Sequence, residues 1–356
     1  MQGRGQTAEP HRLREQGVAH GFAPLSHARL RLSRPASRAA RLLLPASCMA
    51  VVARHLPPIP SAPRPQAGGG PLAVDGAFWR RAARFGASRA PSWFVRWSPP
   101  VIGAATAVAM PDMRRRISGQ LALARGRVSP LRDAIDVAYT FANFASCITE
   151  VLSTHSKNGS PPEATVHCGP RVDDLLSTRG GVIFATAHTA GWEILGALLA
   201  REHHKRVMVV MQRERDQGAR DLQDTMREGA GVKILHVGGD PLASLPMMRH
   251  LREGGVVALQ IDRVPPGMIG RSVRIFGQPA TIPEGPLRLA QLTGAPIVPV
   301  FSARTGHRRY AIYVNEPILV ARRAESTAIN VAAQHLADAL GEFVTAHPTQ
   351  WFSFHD

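Results

Sequence analysis

"GVIFATAHTAGWEILG", residues 181–196, decides how this chain folds. The run up to Ala187 is apolar at consecutive positions, not alternate ones. Strands covered by helices on both faces look like this. From Trp192 the composition is that of a helix. Gly191 sits between the two and permits a turn that other residues resist. The stretch therefore predicts a buried strand, a tight bend and a helix. His188 falls at the carboxyl end of the strand, where open α/β sheets bind their ligands. The helix start adds free backbone N–H groups and the positive end of a dipole.

The same rhythm runs from about residue 164 to the end. Apolar runs ("RVMVVM", "VKILHV", "VVALQID", "SVRIFG", "PIVPVFS", "YAIYVNEPI") alternate with helical stretches such as "PLASLPMMRHLREG" and "PEGPLRLAQLTG". A long helix, "ESTAINVAAQHLADALGEFVTAHP", closes the chain. Alternation of this kind predicts an α/β fold, a mostly parallel sheet flanked by helices. A helical region precedes it. "SPLRDAIDVAYTFANFASCITEVLSTH" has a serine cap, a first-turn proline, and Ile135, Ala138, Tyr139, Phe141, Phe144 and Ile148 at helical spacing. "DGAFWRRAARFGA" opens another helix, with Asp75 as its cap. Residues 1–70 are rich in Arg, Pro and Ala, hold two acids, Glu9 and Glu15, and are expected to be a disordered tail. The expected organisation is a 1–70 tail and a 71–356 domain, with a helical, membrane-proximal part at 71–160 and an α/β catalytic part at 161–356.

Formal net charge is +17, and only Lys157, Lys205 and Lys233 are lysines, so arginine carries the excess. That composition fits either a GC-rich genome or an anionic partner. Cys48, Cys147 and Cys168 form no CxxC and predict a reducing compartment without structural disulfides. No segment has the ~18 apolar residues that span a bilayer. "WSPPVIGAATAVAMP", 97–111, is too short and its prolines interrupt helix hydrogen bonding. Beside the basic, aromatic "PSWFVRW" it reads equally as an interfacial segment or as a core helix or loop.

His188 and Glu193 are spaced His-x4-Glu. On a straight helix that spacing leaves the side chains about 140° apart. A bend at Gly191 would return Glu193 to the imidazole, fixing its tautomer and freeing the other nitrogen as a general base. The alternative is a polar pair capping a helix. Zinc-binding HExxH, GxSxG, Walker and GxGxxG patterns are absent. Direct attack by a substrate hydroxyl thus suits the residues better than a covalent intermediate.

With "VMVVMQRERD", "MREGAGVKIL", "LREGGVVALQIDR", "VRIFGQPATIPEGPLRLAQLTGAPIVPVF" and "HPTQWFSFHD" following in order, the block at 181–196 resembles the lipid A lauroyl/myristoyl acyltransferase family over about 76–356. The family usually has Gly-Asn before its Trp-Glu pair, where this chain has Ala190-Gly191.

The resemblance implies transfer of a fatty acyl group from a thioester of acyl carrier protein or coenzyme A to a lipid hydroxyl. His188 would be the base and Glu193 its orienting carboxylate. Backbone donors around Thr189–Gly191, or an arginine, would hold the oxyanion. Arg213 and Arg227 would hold phosphate. Asp262, at a strand end, would belong to the site, with Arg263 as its partner or a phosphate contact. Glu284 is read as a helix cap, and His203, His204, His236, His250 and His307 as surface or packing residues. No metal or tightly held cofactor is expected. The expected partners are a membrane lipid acceptor, the acyl donor and an anionic membrane surface, with no nucleic acid. The expected place is the cytoplasmic face of a bacterial inner membrane, peripheral or monotopic. Other readings are a lysophospholipid, glycerolipid or mannolipid acyltransferase, a basic nucleic-acid-binding protein, and an inactive relative.

Overall fold

The computed structural model describes residues 86, 89–154, 162–169, 172, 174–175, 180–195, 206–212, 232–238 and 242–353. The tail expected at 1–70 and nearly all of the helix expected at 75–87 lie outside the described residues.

Among the described residues the helices α1 Ser92–Ala109, α2 Pro111–Arg125 and α3 Pro130–Thr154 precede the strands. The expected cap of α3 is present, with the Arg132 N–H donating to Ser129 Oγ at 3.3 Å. Of the readings left open for the 97–111 segment, the structure has a helix, and α1 runs through Pro99 and Pro100 although each interrupts its hydrogen bonding. Each proline removes a hydrogen bond and costs about 3 kcal/mol in a helix interior. Packing offsets this. Val95, Pro99, Gly103 and Ala107 are buried, and α1 lies so close to α3 that a Cβ on Gly103 would stand 2.5 Å from the Phe141 carbonyl oxygen. Among the described residues no helix is long and apolar enough to cross a membrane.

On α3 the buried face carries Asp136, Thr140, Cys147 and Glu150, while Ile135, Tyr139 and Ile148 of the apolar series are exposed. Buried carboxylates persist only where they are paired. Asp136 meets Arg125 and Arg132, and Glu150 meets Arg304.

The strands are β1 Glu163–Cys168, β2 Val182–Thr186, β3 Val207–Gln212, β4 Val232–Val237, β5 Val256–Gln260, β6 Gly270–Ile275, β7 Gln278–Pro283, β8 Ile297–Gly306 and β9 Arg309–Val314. Seven form one sheet in the order β1-β9-β8-β2-β5-β3-β4. From β8 to β4 every neighbouring pair is parallel. β9 turns back antiparallel on β8 and β1 runs parallel to β9. The expectation of a mostly parallel sheet with flanking helices holds. Strands β1 and β7 were not read from the sequence.

All five residues of β2 are buried. Ile183 and Ala185 join a core formed with α4 Ser244–Arg252, α5 Gly285–Thr293 and α6 Ser326–Ala346. Val182 and Phe184 join a second core on the opposite face, with Cys147, Ile194 and Leu195. The consecutive apolar run exists because each face of the strand has its own cover.

Candidate active site

β2 and β5 are adjacent and in register, with Thr186 opposite Gln260. One more ladder bond, from the Ile261 N–H to the Thr186 oxygen at 2.8 Å, carries the pairing past the strand ends. His188 and Asp262 are each two residues beyond that last pair, so the backbone sets them side by side.

His188 Nδ1 lies 3.0 Å from Asp262 Oδ1 and 3.2 Å from Oδ2. The His188 backbone N–H donates to Oδ2 at 3.1 Å, and the Trp351 indole N–H donates to the same oxygen at 3.0 Å. Asp262 is fully buried, while the His188 side chain keeps 22% exposure. Burial alone would raise the Asp262 pKa. The charge and N–H of the His188 ring, the indole and the His188 backbone together outweigh it and hold the carboxyl below its ordinary range. On the other side of the ring, Arg263 Nη2 is 3.1 Å from Nε2. A guanidinium has no acceptor, so Nε2 accepts and the ring proton belongs on Nδ1, facing Asp262. The tautomer assigned from these partners is the one a general base needs, with its lone pair on the exposed nitrogen.

The carboxylate on Nδ1 is therefore that of Asp262. The His-x4-Glu spacing pointed to Glu193, and this is corrected: Glu193 is half-buried in the first turn of the helix that begins at Trp192, while the ring is held across the sheet. Asp262 was read from the sequence as a site residue at a strand end, but not as the partner of His188.

Thr189, Ala190 and Gly191 make the bend. Gly191 has φ +83°, and a Cβ there would stand 2.4 Å from the ring of Tyr310. Backbone N–H groups of this turn are the expected oxyanion donors, and two of them are already bonded. Thr189 N–H donates to the Ala187 oxygen at 2.7 Å and Ala190 N–H to the Gln350 oxygen at 3.0 Å. As described, Thr189 and Gly191 shape the turn, and the donor beside the exposed nitrogen is Arg263. Burial pushes the Cys147 thiol up to about 12, which leaves it unreactive at neutral pH.

The chain's end clamps this bend. The Phe352 N–H donates to the His188 oxygen at 2.7 Å, Thr189 and Trp351 form an isolated bridge, and Gln350 exchanges bonds with both backbone groups of Arg304. Asn143 of α3 reaches the Thr349 oxygen at 3.3 Å, and Gln120 of α2 bonds the Ser353 oxygen. The sequence showed "PTQWF" only as part of a resemblance. Its role needed the contacts.

Trp192 stands edge-on to His188, ring centroids 6.1 Å apart. It also lines an apolar crevice with Phe184, Leu195, Val207, Val209 and Ala258. Arg213 and Arg227 lie outside the described residues. Glu284 precedes α5, but its carboxylate makes no capping bond. It pairs instead with Arg271 and Arg288, a correction to its reading as a cap. His250 is a packing residue as expected, its Nε2 2.8 Å from the Arg206 oxygen. His307 is more than that, since Nδ1 lies 3.3 Å from Glu150. Among the described residues no group of three His, Cys, Asp or Glu is placed to hold a metal ion.

A family model described as bacterial lipid A biosynthesis acyltransferase matches residues 132–356. Two curated phosphatidylinositol mannoside acyltransferases of Mycobacterium tuberculosis, from strains CDC 1551 / Oshkosh and ATCC 25618 / H37Rv, are each 28% identical over 181 residues, covering 51% of this chain and 55% of theirs. The chain thus spans about half the length of the curated relatives it matches. The crystal structure of the 1-acyl-sn-glycerophosphate acyltransferase of Thermotoga maritima aligns with TM-score 0.33 and 11% identity, over 71% of this chain and 97% of that one. The family match runs from the first turn of α3 to the last residue and takes in His188, Asp262 and the clamp that holds them, and on that match the chain belongs to the bacterial lipid A biosynthesis acyltransferase family.

Proposed function

We propose that this protein transfers a fatty acyl group from a thioester, of acyl carrier protein or coenzyme A, to a hydroxyl of a glycolipid. One observation carries the reading: an imidazole whose Nδ1 is held by a buried carboxylate presents its Nε2 at the carboxyl end of a parallel sheet. Nε2 takes the proton of the acceptor hydroxyl, and the oxygen attacks the thioester carbonyl carbon. Asp262 stabilises the imidazolium that forms. The tetrahedral intermediate collapses with cleavage of the carbon–sulfur bond, and the departing thiolate takes the proton from Nε2. Ester and free thiol are the products, and no redox partner is needed.

Arg263 holds Nε2 in the free protein. The entering hydroxyl displaces it, and its guanidinium then lies within reach of the oxyanion or of an acceptor phosphate. Arg213 and Arg227 are proposed as further phosphate contacts, and Glu193 as a second carboxylate near the turn.

A lipid A precursor is the acceptor in the first reading. The similarity to phosphatidylinositol mannoside acyltransferases supports a mannosylated lipid as the second. Work at an anionic, cytoplasmic membrane face suits the surplus of arginine and the exposed Trp93, Trp97, Val101 and Ile102 of α1. The test is to incubate the purified protein with acyl carrier protein and coenzyme A thioesters and both lipid classes, and to identify the product by mass spectrometry. His188→Ala should abolish transfer and retain lipid binding. Undiminished turnover in that variant would end the reading.

A further inference from the structure

At the far edge of the same end of the sheet is a second site that the proposed chemistry does not use. A pocket is lined by Arg96 of α1, by Gly306 at the end of β8, by His307 in the β8–β9 turn, and by Arg309 of β9. β8 runs parallel to β2, so its carboxyl end and this turn lie on the side of the sheet that carries His188. Cations dominate the surroundings. Arg304 and Arg308 flank the turn; the acid paired with Arg304, Glu150, is buried and already bonded to Arg304, His307 and Tyr310, while Arg308 donates to Ser153 Oγ at 2.7 Å. The exposed Glu163 is in register with Arg309 across the β1–β9 ladder but makes no ion pair with it. Among the described residues neither Arg96 nor Arg309 has an acidic partner. The field is visible on His307: burial first, then Arg308, Arg304 and Arg96, lower its pKa against the pull of Glu150. The ring is therefore available as a neutral hydrogen-bonding group.

The neighbours of Arg96 identify the kind of surface that covers it. Its guanidinium lies 5.1 Å over the Trp97 ring. Trp93 and Trp97 are 64% and 63% exposed, and Val101 and Ile102 continue the apolar face at 69% and 55%. Exposed tryptophans, aliphatic residues and arginine on one helix are the composition of an element that lies at a membrane interface. A water-facing helix does not leave four large apolar side chains uncovered in series.

We propose that Arg96, His307 and Arg309 form a binding site for the phosphodiester headgroup of an anionic membrane lipid, which seats α1 in the interface and turns the His188 end of the sheet toward the bilayer. The proposal rests on the acyl-transfer reading for its purpose but not for its test. Arginine is suited to phosphate because its fork matches the oxygens bidentately. Arg96 and Arg309 grip one headgroup from two elements, the imidazole bonds a third oxygen, and the tryptophans enter beside the acyl chains.

The test uses the full chain and two vesicle preparations, phosphatidylcholine alone and phosphatidylcholine with phosphatidylglycerol, in flotation at fixed salt. Arg96→Gln with Arg309→Gln should weaken binding to the phosphatidylglycerol vesicles about 30-fold, from about 1 kcal/mol for each arginine at the surface. Binding to the neutral vesicles should hardly change. A control with the same charge change, Arg252→Gln with Arg323→Gln, lies at the amino end of the parallel strands and should lose less than threefold by its distance beyond a Debye length. Trp93→Ala with Trp97→Ala should weaken binding to both vesicles. Inorganic phosphate should displace the protein from phosphatidylglycerol at an ionic strength where chloride does not. Equal losses from the two arginine pairs, or unchanged affinity in the first, would overturn the site. Turnover on detergent-dispersed acceptor is measured beside these: its absence in the unaltered protein defeats the acyl-transfer reading, and its presence with unchanged vesicle affinity defeats this one alone.

Discussion

Replacing Asp262 by asparagine tests the mechanism at its most specific point. The carboxylate oxygens stand 3.0 and 3.2 Å from Nδ1, so when the ring gains a proton the charge centres are about 4 Å apart. At an effective dielectric constant of about 20 that attraction is about 4 kcal/mol, or about a thousandfold in rate. Hydrogen bonding adds to the loss. Oδ2 already serves the His188 backbone N–H and the Trp351 indole. An asparagine must keep its one oxygen there and turn its NH2 toward Nδ1. The ring then accepts at Nδ1 and carries its proton on Nε2, the nitrogen that has to be bare. The assay is kcat with saturating acyl donor, with thermal unfolding to show that the variant is folded. Asp262→Asn should lose about a thousandfold or more, and Glu193→Gln less than that. If Asp262→Asn stays within tenfold of the parent, or if the order of the two variants is reversed, the assignment of the orienting carboxylate is wrong.

Trp351→Phe removes one of the donors to Asp262 while keeping an aromatic ring; a hydrogen bond to a charged group is worth about 1.5–3 kcal/mol, so kcat should fall roughly tenfold to a hundredfold with KM little changed. Gly191→Ala forces a side chain to φ +83° against the Tyr310 ring, which should cost about 1–3 kcal/mol in strain alone and lower both the melting temperature and turnover. Glu284 tests pH dependence. Burial raises its pKa, Arg271 and Arg288 lower it further, and the net position is below the ordinary value. Its folded pKa is thus below its unfolded one, so its stabilisation is present above about pH 4.3 and is lost as pH falls through the folded value. Unfolding curves of Glu284→Gln and the parent should differ at neutral pH and converge in acid.

The strand, the bend and the helix around His188 were legible because they are local. A doubly buried strand needs consecutive apolar residues, and a positive φ favours glycine, whatever the rest of the chain does. The sheet class followed from the same alternation repeated. Local rules failed where packing overrode them. α1 passes through two prolines because it is buried against α3, and the buried stripe of α3 is polar because its acids meet arginines from β8 and α2.

From the sequence came His188 at a strand's carboxyl end, Asp262 at another, and the bend at Gly191. The partnership was decided by tertiary structure. Glu193 is five residues away along the chain and Asp262 is 74, yet it is Asp262 that meets the ring, because β2 and β5 are neighbours in the sheet. Strand order arises from how crossovers stack their helices, which no short window of sequence contains. The clamp by residues 348–352 is of the same kind, since its bonds join residues far apart along the chain, Gln350 with Arg304 and Phe352 with His188.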